Sequence, residues 1–113
     1  MNCTPLSEKP GQINISLHYT IITEQGNVSA MHNLGCCYFA GEGVKADITK
    51  AVALWRAAAE EGFDRSQYEL GICYCLGEGV QQDYAEGLKW LRMAARQGHA
   101  MAQSALTSLG EKW

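Results

Sequence analysis

Leu34-Gly35-Cys36-Cys37-Tyr38-Phe39-Ala40-Gly41-Glu42-Gly43-Val44 is the stretch on which the fold turns, because it returns as Leu70-Gly71-Ile72-Cys73-Tyr74-Cys75-Leu76-Gly77-Glu78-Gly79-Val80. The offset is 36 residues, and it also carries Asp47 onto Asp83, Arg56 onto Arg92, Ala58-Ala59 onto Ala94-Ala95 and Gly62 onto Gly98. Order at this many positions marks an internal repeat. Units of this length bury their apolar faces only by stacking on one another.

Each unit reads as two helices. Val28 to Ala40 places Ala30, Leu34, Cys37 and Tyr38 at helical spacing on one apolar stripe. Gly41-Glu42-Gly43 then ends the helix, since glycine takes the left-handed conformation of a helix C-terminus without Cβ strain. Val44 is expected to tuck inward from the loop. Asp47 suits an N-cap, its carboxylate accepting from free backbone N–H groups, and a second helix runs to about Glu61 before Gly62 stops it. The next unit repeats the grammar: Asp64 is expected to cap a helix through Leu76, Gly77 and Gly79 turn the chain, and Asp83 caps a helix closed by Gly98. Small residues (Gly35, Gly71, Ala58, Ala59, Ala94, Ala95) stand where helices must meet closely. Large ones (Trp55, Leu54, Trp90, Leu91, Tyr38, Tyr74) fill the space between.

The predicted fold class is therefore all-α, a superhelical solenoid of helix-turn-helix repeats. Repeat one is placed at 27–62 and repeat two at 63–98. Gly26 lies one period before Gly62, so 13–26 is read as a degenerate second helix of a preceding unit. Residues 99–113 are read as a capping helix, from His99 to about Leu109, and residues 1–12 as a flexible segment. Terminal units drift from the consensus because one of their faces meets water.

The pattern Ala-x-x-x-Leu-Gly-x-x-Tyr-x-x-Gly-x-Gly-Val, followed by Asp and an Ala-Ala-rich helix with Trp that ends in Gly, resembles the Sel-one-like repeat (SLR) family. These repeats are relatives of tetratricopeptide repeats with a longer loop between the helices. Residues 30–62 match closely, and 66–98 match with Ser66 in place of the first alanine. The resemblance implies an adaptor or scaffold that acts by binding proteins. One bacterial branch of the family is associated with β-lactam binding and pairs a cysteine between the two helices of each repeat. Here the second-helix positions are Ala59 and Ala95, so that disulfide ladder is missing.

Composition narrows the function classes. The chain of 113 residues is 47% hydrophobic and 19% charged, with a formal net charge of -3. That balance argues against nucleic acid, whose binders turn a basic face to phosphates. No run approaches the roughly 20 apolar residues of a membrane span, so neither a membrane nor a nucleic-acid partner is expected. The five cysteines, Cys3, Cys36, Cys37, Cys73 and Cys75, are odd in number. Helices about 8–10 Å apart hold Cys37 and Cys73 beyond the ~4.4–6.8 Å Cα separation of a disulfide. Reduced thiols in a reducing compartment are expected. MNCTPLSEKPGQ has no basic region leading into an apolar one. A cytoplasmic location follows as the expectation, with periplasmic or secreted placement open to a chain whose leader lies outside this sequence.

First helices line the concave side of tetratricopeptide-like arrays. Opposite the apolar stripe, the first helix carries Ser29, His32, Cys36 and Phe39. The next carries Arg65, Tyr68, Ile72 and Cys75, with Leu76 beside them, and Met101 and Ser104 extend the line. The partner-binding candidates are His32, Cys36, Phe39, Arg65, Tyr68, Ile72 and Cys75. Two readings of this stripe stand: a groove for an extended peptide or a partner's helix, or apolar side chains packed under the terminal helices. A second copy of the chain is a further candidate occupant.

Catalysis finds little support. His18, His32 and His99 are scattered, and a Cys36–His32 pair four residues apart has nothing obvious to orient its imidazole. A zinc site from His32, Cys36 and Cys75 would lack the usual four ligands. The glycine loops have no Lys-Ser or Lys-Thr behind them, as a phosphate loop requires. No metal, cofactor or enzymatic activity is expected, and the leading reading is a non-enzymatic protein-interaction module. The alternatives are an immunity or inhibitor protein that caps a toxin or enzyme, and a wall- or β-lactam-related hydrolase like the disulfide-bearing branch.

Overall fold

A computed structural model of the protein describes residues 27–113. The expectations for residues 1–12 and 13–26 lie outside them. Among the described residues there are helices and no strand: α1 (Val28–Ala40), α2 (Ile48–Glu60), α3 (Asp64–Leu76), α4 (Tyr84–Arg96) and α5 (Ala100–Ser108). Each packs on the next, so α1/α2 and α3/α4 form the two repeats while α2/α3 and α4/α5 join the units.

Local chemistry sets the helix ends. Asp47 and Asp83 adopt the same extended conformation, and their carboxylates accept from Lys50 N and Glu86 N at 3.1 Å each. Asn27 caps α1 likewise, accepting from Ala30 N at 3.0 Å. At the C-termini of α1 and α3, Gly41 and Gly77 take φ values of 75° and 74° and return their N–H groups to Cys37 O and Cys73 O. Backbone bonds from Asp47 N to Tyr38 O (2.8 Å) and Asp83 N to Tyr74 O (2.9 Å) then close the two loops alike.

Asp64 does not cap α3 as expected. The cap is Phe63, with no side-chain hydrogen bond, and Asp64 is the first helical residue. The cause is the tight turn at Gly62, in which Phe63 N bonds back to Ala58 O at 3.1 Å and so takes up the cap position. Asp64 still sits favourably, its negative charge facing the positive end of the helix dipole. His99 occupies the equivalent cap of α5 and does bond, Nδ1 accepting from Ala102 N at 3.2 Å.

Within each repeat the helices approach until glycine is required. A Cβ on Gly35 would lie 2.7 Å from Trp55 Nε1 and 3.2 Å from Ala51 O. One on Gly71 would lie 2.9 Å from Leu91 Cγ and 3.0 Å from Gly87 O. The buried face of α1 is Met31, Leu34, Gly35 and Tyr38, with His32 beside it. Ala30 and Cys37, expected on that stripe, are only half-buried, because α1 has neighbours on two sides and its buried arc is rotated toward α3. Val44 does pack on the core from the loop.

Between repeats the contacts are polar as well as apolar. Gln67 is almost wholly buried, and its Nε2 donates to Ala59 O at 3.2 Å. Gln103, one period later, donates to Ala95 O at 3.0 Å. Gln97 Nε2 reaches both Gly62 O (2.9 Å) and Gln67 Oε1 (2.8 Å). Arg56 donates to the Tyr74 hydroxyl and lies over that ring. Its counterpart Arg92 instead holds the C-terminal tail, through Lys112 O (2.9 Å) and Glu111 Oε1 (2.8 Å).

Candidate functional site

The residues expected on the open stripe separate into three environments. His32 is the correction: it is buried, 7% exposed, in the seam between α1 and α3. Its Nδ1 lies 2.9 Å from Ser66 Oγ and its Nε2 lies 3.6 Å from Cys36 Sγ. The ring packs against Phe63 at 5.4 Å, while its backbone carbonyl accepts from Trp55 Nε1 at 3.2 Å. The physical reason is the stacking itself, since Ser66 at the start of α3 meets α1 at this point. Tyr68, one period on, stacks on His99 at 5.0 Å but is only half-buried.

Tyr68, Ile72 and Cys75 are half-buried, packed on a core of Leu88, Leu91, Ala94, Ala95, Ala102 and Leu106. Cys75 points at α4, its sulfur filling the space that a Cβ on Gly87 would need. Cys36 is half-buried as well. Phe39 is exposed, though its ring lies 5.5 Å from that of Trp55, and Arg65 is exposed.

What remains open on the first helices keeps Ser29, Cys36, Arg65, Ile72, Leu76 and Met101 of the expected line and elsewhere runs one position over. It follows Ser29, Asn33, Cys36 and Ala40 on α1, then Arg65, Glu69, Ile72 and Leu76 on α3, then Met101, Ala105 and Ser108 on α5, all exposed or half-exposed. Leu76 is 63% and Met101 60% exposed. A shallow depression between α3 and α5 is lined by Tyr68, Ala100, Met101, Ser104, Ala105 and Ser108. Of the residues on this line that the expected stripe omitted, Glu69 is the charged one. Its signal was available, since it stands four residues after Arg65 and three before Ile72 on one helical line.

The chemistry of the buried pair is quiet. Burial pushes the Cys36 thiol up, and the nearby Glu69 adds to this. Burial, with Arg65, holds the His32 imidazole below its ordinary value. Both groups are therefore driven toward their neutral forms, whereas a thiol nucleophile needs the thiolate beside an imidazolium. Cys73 is more extreme, its thiol pushed up to about 12 by burial. Among the described residues no three His, Cys, Asp or Glu side chains converge as ligands for an ion. No helix of the described residues is long and apolar enough to cross a membrane.

The family model for the Sel1 repeat matches residues 28–63 and 64–99. Among solved structures, the chain is similar to a protective antigen present in uropathogenic Escherichia coli strains that displays an SLR fold. Identity is 40% and the TM-score 0.74, over 78% of this chain and 19% of that one. It is also similar to a Sel1 repeat protein from Oxalobacter formigenes, with 35% identity and a TM-score of 0.74, over 84% of this chain and 40% of that one. The match thus spans less than half the length of either relative. No curated protein matches it. Sel1 repeat proteins generally mediate protein–protein interaction, and the fold is typically a non-catalytic scaffold. With consecutive matches over more than half its length and the same paired-helix architecture, the chain belongs to the Sel1 repeat family.

Proposed function

We propose that the face formed by α1, α3 and α5 binds a protein partner, as an extended peptide or one face of a helix, and performs no chemistry on it. The observation that carries this reading is the depression between α3 and α5, lined by Tyr68, Ala100 and Ala105 together with the exposed Met101. Methionine on an open surface offers a flexible, polarizable contact to an apolar partner, and exposed apolar side chains of this kind often mark contact sites. The neutral Cys36–His32 pair supports the non-enzymatic half of the reading, since neither group is charged for nucleophilic work. Membership of an interaction family supports the protein partner. The whole-protein roles of the longer relatives are not needed for it.

A photo-crosslinking side chain placed at Met101 in the native host tests the proposal, with the same group at Met93 as control. Met93 is exposed on α4, a second helix. The expected outcome is a discrete crosslinked partner from position 101 and none from 93, abolished when Leu76→Asp is added. Crosslinks at twice the chain mass would make the partner a second copy. Equal crosslinking from both positions would overturn the proposal.

A further inference from the structure

Resting on that reading of the groove, we infer that its occupant carries a basic side chain set against Glu69, with an apolar side chain a few residues away against Leu76. The position of Glu69 is shared, by the 36-residue period, with Asn33 on α1 and Ala105 on α5. Ala105 lines the depression, so the same register places Glu69 on the open side of α3. Yet Glu69 as a residue is only half-exposed. Burial pushes its proton affinity up, with no other cause acting on it.

A carboxylate that has lost water is normally compensated by a cation or by hydrogen-bond donors. Glu69 has neither among the described residues. Their ion pairs are Lys89–Glu86 and Arg92–Glu111, and no described hydrogen bond ends on Glu69. Arg65, one turn earlier, does not pair with it. The other groups within its field, Cys36, Tyr68 and Cys73, are all neutral and are pushed further from ionising. Glu69 therefore offers the groove a half-buried carboxylate with no bonded partner among the described residues, where a charge-assisted hydrogen bond is stronger than in open water. A guanidinium suits it best, being weakly hydrated and able to engage both carboxylate oxygens.

The apolar half follows from helix geometry. Leu76 lies seven residues beyond Glu69, about 10 Å along the helix axis at 1.5 Å per residue. An extended peptide covers that distance in about three residues at 3.3 Å each. The expected ligand thus has Arg or Lys and, about three positions away, a large apolar residue.

The test is selection of a phage-displayed library of random twelve-residue peptides on the full chain, on Glu69→Gln and on Glu69→Lys, each checked for native helicity by circular dichroism. The expected result on the unaltered chain is enrichment of a basic residue paired at that spacing with an apolar one. Glu69→Gln should bind the winning peptide about tenfold more weakly and lose the basic preference. Glu69→Lys should select acidic residues instead. Peptides that are apolar without a basic preference, and equally bound by Glu69→Gln, would overturn the inference while leaving the groove intact. No enrichment at all, or winners bound undiminished by a chain carrying Met101→Asp and Leu76→Asp, would sink the groove reading and the inference together.

Discussion

His32 shows how one side chain changes meaning between sequence and structure. As a residue four positions before a cysteine it looked like a handle for ligands or chemistry; in place it is a rivet between α1 and α3. With both groups neutral, a consistent arrangement has Nδ1–H donating to Ser66 Oγ and the Cys36 thiol donating to Nε2. Burial lowers the imidazole's proton affinity, Arg65 and His99 lower it further, and Asp64 opposes them. The folded state therefore takes up the proton at lower pH than the unfolded chain, whose histidine titrates near 6.5. The unfolded state binds more protons in that window, so this contribution to stability is full above about pH 6.5 and is lost as pH falls below it. Urea denaturation at pH 7.5 and pH 5.5 should show a larger loss for the unaltered chain than for His32→Gln. Equal losses would remove the titration from His32.

Glycine at the helix crossings works at the scale of elements. Gly71 and Gly87 face each other across α3 and α4, the Cβ that either lacks lying within 3.0 Å of the other's carbonyl oxygen. Replacing Gly71 by alanine improves helix propensity by about 1 kcal/mol. It also forces the backbones apart or displaces Leu91, at a cost typical of overpacking of about 1–3 kcal/mol. Where the obstruction is backbone the second effect dominates, and a net loss of up to about 2 kcal/mol is expected in thermal or urea unfolding. A neutral or stabilised Gly71→Ala would mean that the helices yield more readily than their contact implies. Cys75 belongs to the same crossing, which is why it is not an open groove residue.

At the scale of the molecule, stability in a stacked array comes from within units and from the seams between them. The seam between repeats is unusually polar: Ser66 and Gln67 are buried and bonded to His32, Ala59 and Gln97. Met31 stands one period before Gln67 and is also buried, so the site accepts methionine by shape. Combining Gln67→Met with Ser66→Ala should therefore leave each helix pair intact while weakening their coupling. Leaving buried polar partners unmatched costs about 1–3 kcal/mol. Hydrogen exchange should rise together in α1 and α2 and remain slower in α3 and α4. Uniform acceleration across all helices would show that the two units unfold as one.

Much of this architecture was legible in the chain itself. The 36-residue repetition, the glycines after Ala40 and Leu76, and Asp47 and Asp83 depend on interactions within a few residues of each other, so local chemistry determined helix order and most boundaries among the described residues. Periodicity alone could not say where around each first helix the buried arc ends, because that depends on the angle at which three helices meet. Tertiary packing alone decided that His32 is interior, that Cys75 turns to α4, and that Glu69 stands half-desolvated without a counter-charge. A side chain's burial and the charges around it are set by neighbours on other helices, from Gly87 against Cys75 to Ser66 against His32, and no local pattern encodes them.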